Sequence, residues 1–203
     1  IVTIFYFNIF DNQYVLAMEY ITGKSLEELL EAKTLFSIKE ALLYWKQILR
    51  GLQYAHSHNI IHGDIKPSNI MVSNKNEVKI SDFGIAKIFG ADRNSKAEIP
   101  FGTPRYSSPE QILGQEIDFR SDLYSAGITF YEMVTGRVPF DSKQDIDIEI
   151  ERAHIEALPP KPSNINKNID PKLEKFLLKT IAKRLENRYQ SALEMLEKLD
   201  RFD

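Results

Sequence analysis

Residues 62–71 read His62-Gly63-Asp64-Ile65-Lys66-Pro67-Ser68-Asn69-Ile70-Met71, and this stretch decides how the chain folds and what chemistry it can support. Pro67 cannot continue a helix and biases Lys66 away from helical dihedrals, so the segment is predicted to be a short rigid loop. The loop carries an acid that can accept a proton, a lysine that can balance phosphate charge, and an amide that can bind a metal. That combination suits phosphoryl transfer.

A second stretch, Ile80-Ser81-Asp82-Phe83-Gly84, places an aspartate at the end of a strand-like run. Each polar residue also has a plainer interpretation when it is taken alone. Asp64 could be a loop aspartate that bonds its own backbone, Lys66 a surface lysine, and Asn69 a turn residue. The four groups together, Asp82 included, are far more specific than any one of them, and they favour a catalytic site.

Length and composition indicate one ordinary folded domain. The chain has 203 residues, of which 43% are hydrophobic and 27% are charged, which is typical of a protein with a sizeable core. A net charge of -3 argues against a general nucleic-acid binder. The chain has no cysteines, which excludes disulfides and thiolate metal sites. No apolar run reaches membrane-spanning length, so we expect no membrane contact from this segment.

Hydrophobic patterning predicts two β-hairpins. The first joins residues 1–7 and 13–20 through Asp11 and Asn12, and the second joins residues 70–72 and 78–80. Helices are predicted where apolar residues recur at helical spacing, and Ser25 and Ser37 each precede a glutamate by three residues, as in a capping box. The predicted helices begin at Ser25 and also cover residues 38–58, 119–135, 143–157, 171–184 and 190–202.

The ordered motifs resemble those of a serine/threonine protein kinase of the kind that bacteria carry. The resemblance covers nearly the whole chain and rests on Met18-Glu19-Tyr20, His62-Gly63-Asp64, Lys66, Asn69, Asp82-Phe83-Gly84, Gly102-Thr103-Pro104, Ser108-Pro109-Glu110, Asp122 and Arg188. It implies an α+β, protein-kinase-like fold, with a mainly helical large lobe and the last strands of the small lobe. Residues 1–20 would be a small-lobe remnant and hinge, and residues 21–203 would be the large lobe.

The same resemblance assigns roles at the reaction centre. Asp64 would orient the substrate hydroxyl and accept its proton, while Lys66 would neutralise charge on the transferring group. Asn69 and Asp82 would hold Mg²⁺, a hard cation that prefers oxygen ligands. Thr103 would bond Asp64 and Lys66, which points to Ser/Thr rather than Tyr substrates.

The implied nucleotide pocket is formed by residues at the end of the first hairpin and by one residue of the second hairpin. Met18 would lie at the back of the adenine site, the Glu19 carbonyl and the Ile21 amide would face the adenine edge, and Met71 would form an apolar floor. The implied cofactors are ATP and Mg²⁺. The implied partner is a protein with a Ser/Thr acceptor.

Three further residues are implied to be structural. Glu110 and Arg188 resemble a buried ion pair, and Asp122 resembles a helix aspartate that bonds the backbone of the catalytic loop. His62 and Phe83 are expected to stack, with Ile4 as a third member of that apolar column.

The sequence departs from the family pattern in two respects. Gly63 stands where regulated members usually have Arg. No Gly-x-Gly-x-x-Gly loop, strand lysine or paired helix glutamate precedes Met18, so we expect an N-terminally truncated kinase domain that is inactive as this fragment alone.

Two alternative functions stay open at this point. The chain could be a kinase-like binding module without catalysis, or a small-molecule phosphotransferase of the aminoglycoside or choline type, although those generally lack the Gly-Thr-Pro and Ser-Pro-Glu segment. The expected location is cytoplasmic for the kinase domain, and the full-length protein could be membrane-anchored.

Overall fold

The fold is taken from a computed structural model, which describes residues 1–11, 13–33, 35–83, 104–142, 144 and 146–200. Two antiparallel sheets are present in these residues. Strands β1 (Ile4–Phe10) and β2 (Gln13–Met18) form one hairpin. Strands β3 (Gly23–Ser25), β4 (Ile70–Ser73) and β5 (Val78–Ile80) form a sheet in that order. Both predicted hairpins are confirmed, whereas β3 was not predicted from the sequence.

Helices supply most of the remaining structure. They are α1 (Leu26–Lys33), α2 (Ile38–Ser57), α3 (Pro109–Ile112), α4 (Phe119–Thr135), α5 (Asp147–Glu156), α6 (Pro162–Ile165), α7 (Pro171–Thr180) and α8 (Ala192–Leu199). Helices α2 and α4 match their predicted ranges closely. The predicted range of α7 was too long at its C-terminal end, that of α5 was too long at both ends, and that of α8 began two residues early. Residues 201–202 of the last predicted helix lie outside the described residues.

Capping residues at the helix ends fix where several helices begin and end. The Glu28 amide donates to Ser25 Oγ and the Ser25 amide donates to Glu28, which completes the predicted capping box. Ser37 accepts from the Glu40 amide at the start of α2. Gly136 follows α4 with φ 75, a left-handed conformation that a glycine adopts without steric cost.

Helix α4 forms the centre of the core. Nearly all of its residues are buried, because apolar side chains lie nearly all round the helix. Trp45 of α2 is fully buried and stacks on Phe130 of α4, with ring centroids 4.0 Å apart, while Phe176 of α7 meets the same indole edge-on. The core therefore fixes α2 against α4, and this packing positions the loop that leaves α2.

The β1–β2 hairpin contrasts with this core. Its aromatic side chains are largely open to solvent, and Phe5 is 69% exposed. Within the part of the chain that the structure describes, no helix combines the length and apolar character needed to cross a membrane.

Candidate active site

The loop between α2 and β4 brings Asp64, Lys66 and Asn69 together. Lys66 Nζ lies 2.8 Å from Asp64 Oδ2. Asn69 Nδ2 donates to the Asp64 carbonyl at 2.8 Å and to Asp64 Oδ2 at 3.0 Å. A single 3₁₀ turn, Pro67–Asn69, produces this geometry because it brings the amide back over the acid. The spacing noticed in the sequence thus becomes one compact cluster.

The cluster can be reached from solvent. The Asp64 side chain is 40% exposed and that of Lys66 is 21% exposed. A phosphoryl group that entered beside Asp64 would meet the ammonium group of Lys66 at once, because the two side chains already touch. The arrangement therefore offers a proton acceptor and a cation at a single accessible point.

Asp82 lies next to this cluster through the end of β5. The Ser81 amide donates to the Asn69 carbonyl at 2.9 Å, which ties the residue before Asp82 to the loop. Asp82 itself has φ 60, a left-handed conformation that is uncommon for a residue other than glycine. Such strained residues cluster at functional sites, and here the strain accompanies an exposed carboxylate.

Asn69 and Asp82 are chemically suited to Mg²⁺. Both offer side-chain oxygen, the ligand type that this ion prefers. In residues 1–83 and 104–200, apart from the few positions left undescribed, no group of three or more His, Asp or Glu side chains could hold a metal. Mg²⁺ usually keeps several waters and takes only one or two protein carboxylates, so this small oxygen set still fits the ion.

His62 links the loop to the segment that follows β5 and carries Asp82. The Asp64 amide donates to His62 Nδ1 at 3.1 Å, so the ring proton lies on Nε2, which donates to the Ser81 carbonyl at 2.8 Å. The ring also lies against Phe83, with centroids 4.5 Å apart, so the expected contact is present, but the ring planes are tilted by 57° and are not stacked. Ile4 lines the same apolar cavity as Phe83.

Asp122 of α4 holds the start of the loop, as predicted. Its carboxylate accepts from the amides of His62 at 2.9 Å and Gly63 at 2.8 Å. It also lies 2.8 Å from His56 Nε2, a contact that was not predicted from the sequence. A contact between α2 and α4 leaves no local sequence signal, since its partners are 66 positions apart.

The residues expected around the nucleotide lie on the first hairpin, on the segment after it, and on β4. Met18 ends β2 and, with Ile80, Asp82 and Phe83, lines an apolar cavity of about 210 Å³. Met71 lies in β4 opposite Lys79 of β5, and the Glu19 side chain is paired with Lys79. Ile21 follows two residues after Glu19 and is half-buried.

Thr103 lies outside the described residues, and so do Gly84 and Gly102. The segment that begins at Pro104 is held in place by a residue that was not predicted from the sequence. His154 is buried, with Nδ1 2.9 Å from the Tyr124 hydroxyl and Nε2 3.1 Å from the Arg105 carbonyl. Burial lowers the pKa of His154 to about 3. Its spacing from Ile150, four residues earlier, was the available signal that it faces the core.

Comparison with known proteins identifies the family. A family model described as the protein kinase domain matches residues 1–199. A probable serine/threonine-protein kinase of Clostridium acetobutylicum is 39% identical over 197 residues, covering 95% of this chain and 30% of the relative. One from Clostridium perfringens is 38% identical over 191 residues, covering 94% of this chain and 28% of the relative.

The serine/threonine-protein kinase PknB of Mycolicibacterium smegmatis is 37% identical over 182 residues, which covers 89% of this chain and 29% of that protein. The chain thus spans about 30% of the length of these curated relatives. The expected α+β, protein-kinase-like fold is confirmed. The chain belongs to the protein kinase domain family.

Proposed function

We propose that this chain carries the catalytic centre of a serine/threonine protein kinase, which transfers the γ-phosphoryl group of ATP to Ser and Thr hydroxyls of proteins. The observation that carries the proposal is the cluster of Asp64, Lys66 and Asn69, in which Lys66 Nζ and Asn69 Nδ2 both contact Asp64 Oδ2, at 2.8 and 3.0 Å. The printed names of the relatives support the serine/threonine class.

Asp64 is the proposed proton acceptor. Asn69 holds its carboxylate from one side, so that the second face of Asp64 can meet the hydroxyl of a bound protein substrate. The hydroxyl proton passes to Asp64 as the oxygen attacks the γ-phosphorus and the bond to the β-phosphate oxygen breaks. Lys66 balances the negative charge on the group in transfer. Thr103 is proposed to bond Asp64 and Lys66, as the family resemblance implies.

Asn69 and Asp82 are the proposed holders of Mg²⁺. When bound, the ion neutralises charge on the phosphate oxygens of ATP. We assign Met18 to the back of the adenine site, the Glu19 carbonyl and Ile21 amide to its polar edge, and Met71 to its floor. In this assignment residues 1–20 belong to the small lobe and hinge, and residues 21–203 belong to the large lobe. A cytoplasmic location is part of the proposal, because ATP is available there.

Transfer of labelled phosphate tests the proposal. The full-length product of the gene that encodes this chain is incubated with Mg²⁺, labelled ATP and a generic basic protein, and the product is analysed for phosphoserine and phosphothreonine. Label in these two amino acids supports the proposal. Label only in phosphotyrosine or in an added aminoglycoside or choline, or no transfer at all, would overturn it.

A further inference from the structure

The carboxylate of Glu19 joins three segments that are distant in sequence. It accepts a hydrogen bond from the Thr3 amide at 2.7 Å, and Lys79 Nζ lies 3.0 and 3.3 Å from its two oxygens. The backbone closes the same junction, because the Glu19 amide donates to the Thr3 carbonyl and the Val2 amide donates to the Ile80 carbonyl, both at 2.9 Å. Residues 2–3, the end of the first hairpin and β5 are therefore tied together at one point.

The electrostatics keep this junction charged. The hydrogen bond from the Thr3 amide, followed by that from Lys79, lowers the pKa of Glu19 to about 2, so the carboxylate is ionised under all ordinary conditions. The side chains of Lys79 and Glu19 are 32% and 24% exposed. An ion pair this open to solvent contributes little to global stability. Its effect is therefore expected on local geometry rather than on whether the chain folds.

The ion pair of Glu19 and Lys79 lies beside the residues that are assigned to the adenine site. Glu19 carries the carbonyl that is assigned to the adenine edge, and Lys79 is the β5 partner of Met71, which is assigned to the adenine floor. Lys79 also precedes Asp82, a proposed Mg²⁺ ligand, by three residues. The pair thus connects the two surfaces between which the base would lie.

We propose that Glu19 and Lys79 are positioning residues for ATP, which set the separation between the polar edge and the floor of the adenine site. The inference rests on the proposed kinase function and adds to it a specific determinant of nucleotide affinity. Loss of the pair should weaken ATP binding and leave the phosphoryl-transfer step intact, because Asp64, Lys66 and Asn69 are held by contacts that do not involve either residue.

Kinetics of a Lys79 series test the inference in the full-length protein. Lys79→Met should raise the KM for ATP by about three- to fivefold, the range expected for an open ion pair, with kcat within about twofold. Lys79→Arg keeps the charge and should restore the parental KM. Lys75→Met removes a charge from the exposed turn of the same β4–β5 hairpin and serves as the matched control.

Thermal unfolding of each variant and binding of a fluorescent ATP analogue complete the design. If Lys79→Met and Lys75→Met share one KM, if kcat falls as far as KM rises, or if Lys79→Arg behaves like Lys79→Met, the inference is overturned while the kinase function stands. If Lys79→Met is misfolded, the analogue is titrated against Glu19→Gln, whose amide oxygen can still accept from Thr3, and unchanged affinity there overturns the inference. A parent that binds no ATP analogue and transfers no phosphate would overturn the proposed function, and the inference with it.

Discussion

Arg188 and Glu110 form a two-point ion pair inside the protein, with Nη1 and Nη2 at 2.7 and 2.8 Å from the two carboxylate oxygens and only 0% and 3% of the side chains exposed. The guanidinium also donates to the carbonyls of Ala182, Lys183 and Arg120. Burial alone would raise the pKa of Glu110, but Arg188 and the Ser121 hydroxyl outweigh it and hold that pKa below its ordinary value. The pair joins α3 to the segment before α8, as predicted from the sequence.

Arg188→Ala should lower the free energy of unfolding by about 3–5 kcal/mol, because it leaves the Glu110 carboxylate buried without its cation. Denaturant unfolding of parent and variant at pH 7 measures the change. Arg184→Ala is the matched control, since Arg184 is 78% exposed and its distance to Glu186 is 3.7 Å, so that change should stay within about 0.5 kcal/mol. Equal midpoints for the two variants would show that the buried pair contributes nothing.

His154 should make the fold sensitive to mild acid. Its folded pKa of about 3 lies below its ordinary value of 6.5, so the unfolded chain binds the extra proton first as the pH falls. The contribution of neutral, buried His154 to the free energy of unfolding is therefore fully present above about pH 6.5. Below that pH it falls by about 1.4 kcal/mol per pH unit. Unfolding free energies at pH 7.5, 6 and 5 measure this slope against that of His154→Gln, which cannot titrate.

The control for His154 is His58→Gln, because His58 is an exposed histidine at the end of α2. That variant should keep the slope of the parent. The prediction fails if His154→Gln and the parent lose stability in parallel between pH 7 and 5, since the titrating group would then lie elsewhere.

Asp122→Asn should loosen the start of the catalytic loop. An amide has one acceptor oxygen where the carboxylate has two, so its NH₂ group would face a backbone N–H of His62 or Gly63. A buried donor left against another donor costs about 1–3 kcal/mol, and the amides of His62 and Gly63 should exchange with solvent faster. Hydrogen exchange and denaturant unfolding measure both effects.

Asp118→Asn provides the comparison, because Asp118 caps the same helix from its partly exposed end and Asn caps equally well. Its cost should stay under about 1 kcal/mol, and exchange at Gly63 should not change. If both substitutions have the same effect on Gly63, the Asp122 bonds are not what holds the loop.

The parts of the fold that the sequence predicted well are those with local causes. Helix α2 begins just after Ser37 and α4 ends just before Gly136, because a side-chain cap and a left-handed glycine act within one turn. The grouping of Asp64, Lys66 and Asn69 could be predicted for the same reason, since all three lie on one short loop. Strand β3 could not, because three residues with a glycine become a strand only when β4 is present to pair with them.

The contacts that escaped sequence reasoning are those between distant segments. His56 with Asp122, His154 with Arg105, and Glu19 with Lys79 each join residues 49 to 66 positions apart, where no spacing rule applies. Gly63 shows the same limit. Its φ of 77 and the hydrogen bond that its amide donates to Asp122 show that Gly63 acts through its backbone. The comparison with an Arg at that position did not suggest this.

Asp64→Asn provides the direct test of the proposed chemistry. Asparagine has nearly the same shape, so the bond from Asn69 Nδ2 to the residue 64 carbonyl, now 2.8 Å, should persist while the proton acceptor is lost. Turnover of the full-length protein should fall by about 10²–10⁴-fold, the usual contribution of a general base, with affinity for an ATP analogue kept. Asp200→Asn, which changes a 70% exposed carboxylate at the end of α8, should leave turnover at the parental level. Near-normal phosphorylation by Asp64→Asn would show that another group accepts the hydroxyl proton, and the assignment of the catalytic loop would then have to be abandoned.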